Sequence, residues 1–376
     1  MNDIPKGLYL VMVILFSVGV NSTVLKPDNS TMSSSTCGSA ISSTQPNQPP
    51  LFLSDDQVRD LLDWESLVPA IESVMVKVSK KEVIQPARLF MRIPEVNGVL
   101  LSMPGYIKRT GPDGEDSLAI KVVTSFTDNK VKGLPSVLAT VLLYNTDNGK
   151  LKVVMEGTEI TKWRTAAASV VATKHLFGRS GDKDLVLAIM GSGAQAYIHA
   201  KAFHVSLKLK KINIWNHRYA GAQSLVEKLT SEGVPAVQAY EHGEDAARDA
   251  DILVTATYSS VPVLKYEWLT KKDAHINAVG AGLNHHSELD SAIYSHSSIF
   301  FDSEAAARGE LKGLYEQVPA NMVGEVGGLI AANLTRDARY PLTVFHSMGM
   351  ATEDVITAKL IYDKYQKQHS NCSSPQ

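Results

Sequence analysis

Apolar positions along the chain change period several times, and each change marks a change of element. Ser54, with Gln57 three residues on, has the form of a capping box opening a short helix in LFLSDDQVRDLL, and ESLVPAIESVMVKVS continues with helical spacing. GVLLSMPGY, SLAIKVVTSF and PSVLATVLLYNTDNGKLKVVME are rich in Val, Leu and Thr and predict strands, with a turn at Asp147-Asn148-Gly149. Thr158 to Phe177 returns to helix, packed with small residues that permit close backbone approach. After GRSGDKD, strand and helix alternate through LVLAIM, QAYIHAKAFHVS, KINIWN, AGAQSLVEKLTSE, AVQAY, EDAARDA, DILVTAT, HINAVGA and SSIFFDS. That alternation predicts an α/β fold with a doubly wound parallel sheet of the Rossmann kind. A last helix is expected over FHSMGMATEDVITAKLIYDKYQ, with Met348, Ala351, Val355, Ala358 and Tyr362 on one face. It is expected to return to the first domain, so that residues 51–166 and 336–368 form a discontinuous α+β domain around a Rossmann domain at 167–335.

Composition removes several function classes. The 376 residues are 44% apolar and 20% charged, ordinary for a globular protein, and a net charge of -2 argues against a phosphate-neutralising surface and so against nucleic acid as a partner. Cys37 and Cys372 both lie in low-complexity ends, and no HExxH pattern occurs, so neither a metal site nor a disulfide framework is expected. Tyr9 to Val20 is a 12-residue apolar run, long enough for a signal-peptide core and short for a membrane span, but Asp3 offsets Lys6 before it. Two alternatives stay open: residues 1–21 direct export through the secretory pathway, or they are an uninformative extension of a cytoplasmic protein. A membrane association follows only if the segment is an uncleaved anchor. Residues 22–50 and 369–376 are expected to be disordered, since Ser, Thr, Pro and Asn bury too little apolar surface to offset chain entropy.

LAIMGSGAQA carries a dinucleotide fingerprint in the right context, because Gly191, Gly193 and Ala196 follow a buried-type strand and open a helix. Gly191 permits the tight turn, Gly193 admits the pyrophosphate, and Ala194, Gln195 and Ala196 begin the helix whose N-terminus faces the anion. Thr255, Thr257 and Val279, at the ends of later strands, are assigned to the same cofactor edge. The second strand ends in Asn216-His217-Arg218, where selectivity for NAD would call for a carboxylate. Asn216 suits the ribose, and Arg218 with His217 suits a 2′-phosphate, so the cofactor is read as NADPH with NADH weaker.

IQPARLF, SLAIKVVTSF, TKWRTAAA, HINAVGA and SMGMATEDVITAKLIYD together resemble the ornithine cyclodeaminase and mu-crystallin family over about residues 51–368. SMGMATEDVITAKLIYD and IWN are more similar to the mu-crystallin branch than to bacterial cyclodeaminases. The resemblance implies a homodimer, a substrate and dimerisation domain beside the Rossmann domain, and imine chemistry at a nicotinamide: NADPH-dependent reduction of small cyclic ketimine carboxylates. It implies that Arg88 and Arg164 clamp the substrate carboxylate and that Lys121 is the active-site lysine. An ammonium in the centre of LAIKVV is costly to bury without work or a partner, and desolvation there would lower its pKa toward proton donation. The alternative is an edge-strand lysine facing water. Tyr106 in MPGY and Asn284, beside His285 and His286, are further pocket candidates. Gly282 stands where cyclodeaminases carry an aspartate, which argues against ornithine cyclisation and against alanine-type dehydrogenation. Glu353 and Asp354 read as carboxylates capping the last helix. A competing function is non-catalytic: NADPH-regulated binding of thyroid hormone, an iodothyronine carboxylate occupying the same arginines.

Overall fold

Ser54 caps as its sequence context predicts. Its hydroxyl accepts from the Gln57 N–H, the Gln57 side chain accepts from the Ser54 N–H, and the helix Asp55–Asp60 follows. The helix Trp64–Ser79 opens on Asp63, which accepts from Ser66 N, and turns Leu67, Ile71, Val74, Met75 and Val78 into the core. The computed structural model describes residues 49–109, 115–179, 181–280, 287–332 and 340–370.

Two sheets organise these residues. The first has seven strands, running Leu51–Leu53, Leu151–Glu156, Val137–Tyr144, Ser117–Phe126, Gly98–Ile107 and Val83–Ile84, with Leu89–Ile93 also paired to Gly98–Ile107. All its pairings are antiparallel except the first. Because side chains alternate along a strand, one face of Ser117–Phe126 carries Ser117, Ala119 and Lys121, all buried, with Met103 and Val141 directly opposite Lys121 on its two neighbours. The helices Trp64–Ser79 and Ala351–Ser370 pack together, and the second lies across Gly98–Ile107 and Ser117–Phe126. The other face is open and apolar: by register it carries Phe52, Ile84, Leu89, Met91 and Leu138, all exposed.

The second sheet is parallel throughout, with eight strands in the order Val237–Tyr240, Leu209–Trp215, Leu185–Met190, Ile252–Thr255, His275–Ala278, Leu342–His346, Ser297–Phe301 and Met322–Glu325. Its middle strands are buried along almost their whole length, as expected of strands covered on both faces, although His275, Asn277, Thr343 and His346 are polar. This is the Rossmann arrangement expected from the alternating pattern, with the strand order reversing between Leu185–Met190 and Ile252–Thr255.

The C-terminal region differs from its sequence expectation. Phe345 and His346, read as the start of the last helix, close the strand Leu342–His346 inside the parallel sheet, and the helix begins only at Ala351. The run LTVFH has the β-branched and aromatic character of a strand, and Gly349 at φ +81° breaks helical continuity before Ala351. Met348 is buried in the connection rather than on the helix stripe. The strand Leu89–Ile93 was also hidden, because most of LFMRI is exposed and shows no alternation in burial.

Candidate functional site

Gly191 ends the strand Leu185–Met190 with φ +127°, a conformation that strains any residue bearing a Cβ. A Cβ there would lie 2.6 Å from the Ala256 carbonyl oxygen, so the turn is pressed against the neighbouring strand's exit. A Cβ on Gly193, the N-cap of the helix Ala194–Ser206, would meet nothing within 4 Å. No side chain caps that helix, so the first N–H groups, from Ala194, Gln195 and Ala196, face an open approach. This is the fit a pyrophosphate requires: backbone donors, a helix dipole and no side chain in the way. A cavity of about 530 Å³ opens beside the loop, lined in part by Ser192, Gly193 and Ala194.

Asn216 is half-buried and donates from Nδ2 to the Arg218 carbonyl at 3.1 Å, while His217 and Arg218 are exposed at the start of the helix Tyr219–Ser231. Thr255, Thr257 and Val279, expected at the cofactor edge, are tied into the protein by hydrogen bonds of their own. Thr255 is fully buried with its hydroxyl on Glu288 at 2.8 Å, and Thr257 gives Glu288 both its N–H at 2.7 Å and its hydroxyl at 2.6 Å. Val279 is buried and donates its N–H to the Thr255 carbonyl.

The second part of the site is a network of charges. Lys121 sits in a central strand, not on an edge, and is 2% exposed. Its Nζ donates to Asp354 Oδ1 at 2.7 Å. Arg164, on the helix Thr158–Leu176, donates from Nε to the same Asp354 oxygen at 3.2 Å and from Nη1 to Glu353 Oε2 at 3.0 Å. Two cations thus face two anions inside the protein, which is how buried charge becomes tolerable. Burial pulls the Lys121 ammonium down to about 8, with Asp354 holding it up and Arg164 pressing it lower. Burial pushes Glu353 up to about 7, opposed by Arg164 and reinforced by Asp302. Asp302 is itself raised by burial to about 6 while accepting from the Gly349 N–H at 2.7 Å.

The segment 347–350 ties the network together. Arg88 donates from Nη2 to the Met348 and Gly349 carbonyls at 2.9 and 3.1 Å and pairs with Glu310 at 3.1 Å. On its other side Gly349 leaves no room: a Cβ there would lie 2.7 Å from Arg164 Nη1. Gly349 therefore brings Arg88 and Arg164 to the two sides of one residue.

Not every expected residue joins this arrangement. Arg164 is paired with two internal carboxylates and 8% exposed, so it does not stand free as a carboxylate clamp, whereas Arg88 keeps a quarter of its side chain exposed. Tyr106 is offset by one from the Met103-Gly105-Ile107 row on its strand, hence on the face opposite Lys121, and its hydroxyl pairs with Asp116. Asn284 and Gly282 lie outside the described residues. Glu353 and Asp354 are more than caps: Glu353 does accept from Met350 N, but both carboxylates serve Arg164, and Asp354 also serves Lys121. A signal for Asp354 was present, since it stands three residues after Ala351 and four before Ala358, on the apolar stripe itself. Asp302, Glu310 and Glu288 carried no comparable local sign.

A glycine turn at the reversal of a parallel sheet, leading into an uncapped helix, defines a dinucleotide-binding protein of the doubly wound class. The chain belongs to the ornithine cyclodeaminase/mu-crystallin family, whose model matches residues 49–369. It is 36% identical over 320 residues to the ketimine reductase mu-crystallin of Rattus norvegicus, covering 84% of this chain and 97% of the relative. Among solved structures it is similar to Thermococcus litoralis Delta(1)-pyrroline-2-carboxylate reductase in complex with NADH and L-proline, with TM-score 0.77, 30% identity, and 85% and 98% of the two chains covered. An archaeal alanine dehydrogenase dimer with bound NAD superposes with TM-score 0.76 at 27% identity, over 85% of this chain and 97% of that one. Among the described residues no helix is long and apolar enough to cross a membrane, and no group of His, Cys, Asp and Glu side chains is arranged to hold a metal ion.

Proposed function

We propose that the chain is an NADPH-dependent reductase of small cyclic ketimine carboxylates. The observation that carries this reading is Lys121, an ammonium buried at the centre of a sheet and brought to about 8 beside Asp354. Such a group is protonated at neutral pH yet a far stronger acid than an ordinary lysine, which suits delivery of a proton to an imine nitrogen. The nicotinamide dinucleotide, when bound, supplies the hydride for the imine carbon. The phosphate loop from Gly191 to Ala196 would hold its pyrophosphate, and Arg218 with His217 would meet a 2′-phosphate. Arg88 has its Nη2 engaged and remains partly exposed, which supports its other N–H groups as the ones that would bind the substrate carboxylate. Arg164 acts behind it, holding Asp354 against Lys121 and Glu353 beside them.

The open apolar face of the first sheet, with Phe52, Ile84, Leu89, Met91 and Leu138, supports a homodimer, since a second copy would remove these side chains from water. The kinship to a ketimine reductase and to a reductase solved with L-proline supports a ring in which the C=N carbon bears the carboxylate. The test is consumption of NADPH and NADH by the purified protein across five- and six-membered cyclic ketimine carboxylates. Turnover with NADPH preferred is expected, and no turnover with any ring ends the proposal.

A further inference from the structure

Glu288 is 2% exposed, lies outside the fingerprint and the charge network, and is surrounded by donors. Oε1 accepts from the Thr257 N–H and hydroxyl at 2.7 and 2.6 Å. Oε2 accepts from the Thr255 hydroxyl at 2.8 Å and the Gly280 N–H at 2.9 Å. Its own carbonyl accepts from Val263 and Leu264, so its backbone is fixed as well. The carboxylate thereby bolts together the exits of two adjacent parallel strands, Ile252–Thr255 and His275–Ala278. Between Thr255 and Thr257 stands Ala256, whose carbonyl oxygen is the atom that a Cβ at Gly191 would strike at 2.6 Å. Ala256 also donates its N–H to the Met190 carbonyl at 2.9 Å, so the position of this exit sets the wall against which the phosphate turn is folded.

We infer that Glu288 is the positioning residue for the dinucleotide: by holding Thr255, Thr257 and Gly280 it fixes Ala256, and through Ala256 the turn at Gly191. The inference rests on the reading of that turn as the cofactor site. Only a carboxylate suits the four donors. A hydroxyl can rotate to accept, but a backbone N–H cannot, and the two oxygens each face one backbone N–H. An amide at this position would therefore set its NH₂ against either Thr257 N or Gly280 N, whichever way it turned. Burial raises the carboxyl's pKa, and the same four hydrogen bonds oppose that rise.

The experiment is fluorescence titration of the full-length protein with NADPH, alongside steady-state kinetics with a ketimine carboxylate, for the parent and Glu288→Gln. One buried N–H facing a donor predicts a rise in Kd and KM for NADPH of roughly 10-fold. KM for the imine and kcat at saturating NADPH should stay within about 2-fold, since Lys121 and Arg88 are untouched. Thr257→Val, which removes one hydroxyl and keeps the side chain's shape, serves if Glu288→Gln fails to fold, with an expected rise of about 3-fold. A folded Glu288→Gln protein with unchanged NADPH affinity overturns the inference, as does a loss confined to kcat, or unchanged affinity in Thr257→Val when Glu288→Gln does not fold. A parent protein that fails to bind NADPH removes the cofactor-site reading and this inference with it, which the parent titration reveals before any variant is compared.

Discussion

Around Gly191 and Gly193 the chain offers a ligand its backbone alone, whereas around Lys121 it offers four charged side chains drawn from three separate segments. The first region works by leaving things out. Two Cβ atoms are missing, one to allow φ +127° against Ala256 and one to keep the helix start open. The second works by enclosing things that would prefer water, and it is stable only because Lys121 and Arg164 meet Asp354 and Glu353 in the same buried space. The two regions should therefore fail differently: the loop in cofactor affinity, the network in turnover and its pH dependence.

The largest expected effect separates them most clearly. Lys121→Ala should lower turnover by about 10²–10⁴-fold, the usual worth of a positioned acid, while NADPH titration gives an unchanged Kd. Gly191→Ala is its counterpart. The left-handed strain, on the order of 1–3 kcal/mol, and the contact with Ala256 should weaken NADPH binding by roughly 10-fold or more, with kcat recovered at saturating cofactor. Gly349→Ala tests the bridge between the arginines. With φ +81° and a Cβ 2.7 Å from Arg164 Nη1, it should lower kcat/KM for the imine and cost on the order of 1–3 kcal/mol in a denaturant melt, with NADPH affinity kept. Arg218→Ala should reduce the preference for NADPH over NADH by about 10-fold, read as the ratio of their kcat/KM values, the weight of one exposed charge-assisted contact.

The subtlest effect is on pH. In the proposed reaction Lys121 would donate only while protonated, below about 8, so kcat/KM should fall as pH rises through that value. Asp354 raises that pKa, so Asp354→Asn should move the falling limb to lower pH. A limb that stays in place would show that Asp354 does not set the titration of Lys121.

How much of each region was legible follows from the same contrast. GSGAQA is contiguous, and its chemistry is a matter of which residues lack side chains, so the sequence showed it directly, together with the strand before it and the helix after it. Lys121 stood out because an ammonium in LAIKVV contradicts the run around it. Its partners did not, since the Lys121–Asp354 contact spans 233 residues and the Arg164–Glu353 contact 189, and no local period reports such distances. Glu353 and Asp354 near a helix start had a sufficient local explanation in the dipole, which masked their long-range one. The strand Leu342–His346 was likewise absorbed into the helix that follows it, because the break at Gly349 is a backbone property that the apolar pattern does not carry. Tyr106 shows the converse error: a residue near the right place in sequence lands on the wrong face, because a strand turns its side chains over at every step.

In the proposed reaction the two regions would act in a single event, a hydride from the dinucleotide held at the loop and a proton from Lys121 arriving on one C=N bond. The most direct measurement is to supply NADPH carrying deuterium at the transferable position, with a cyclic ketimine carboxylate, and to locate the label in the product. A saturated cyclic amino acid with deuterium on the carbon that bears the carboxylate is the predicted result. NADPH that stays bound and unconsumed, as in an iodothyronine carrier, or a product without label at that carbon, would contradict it.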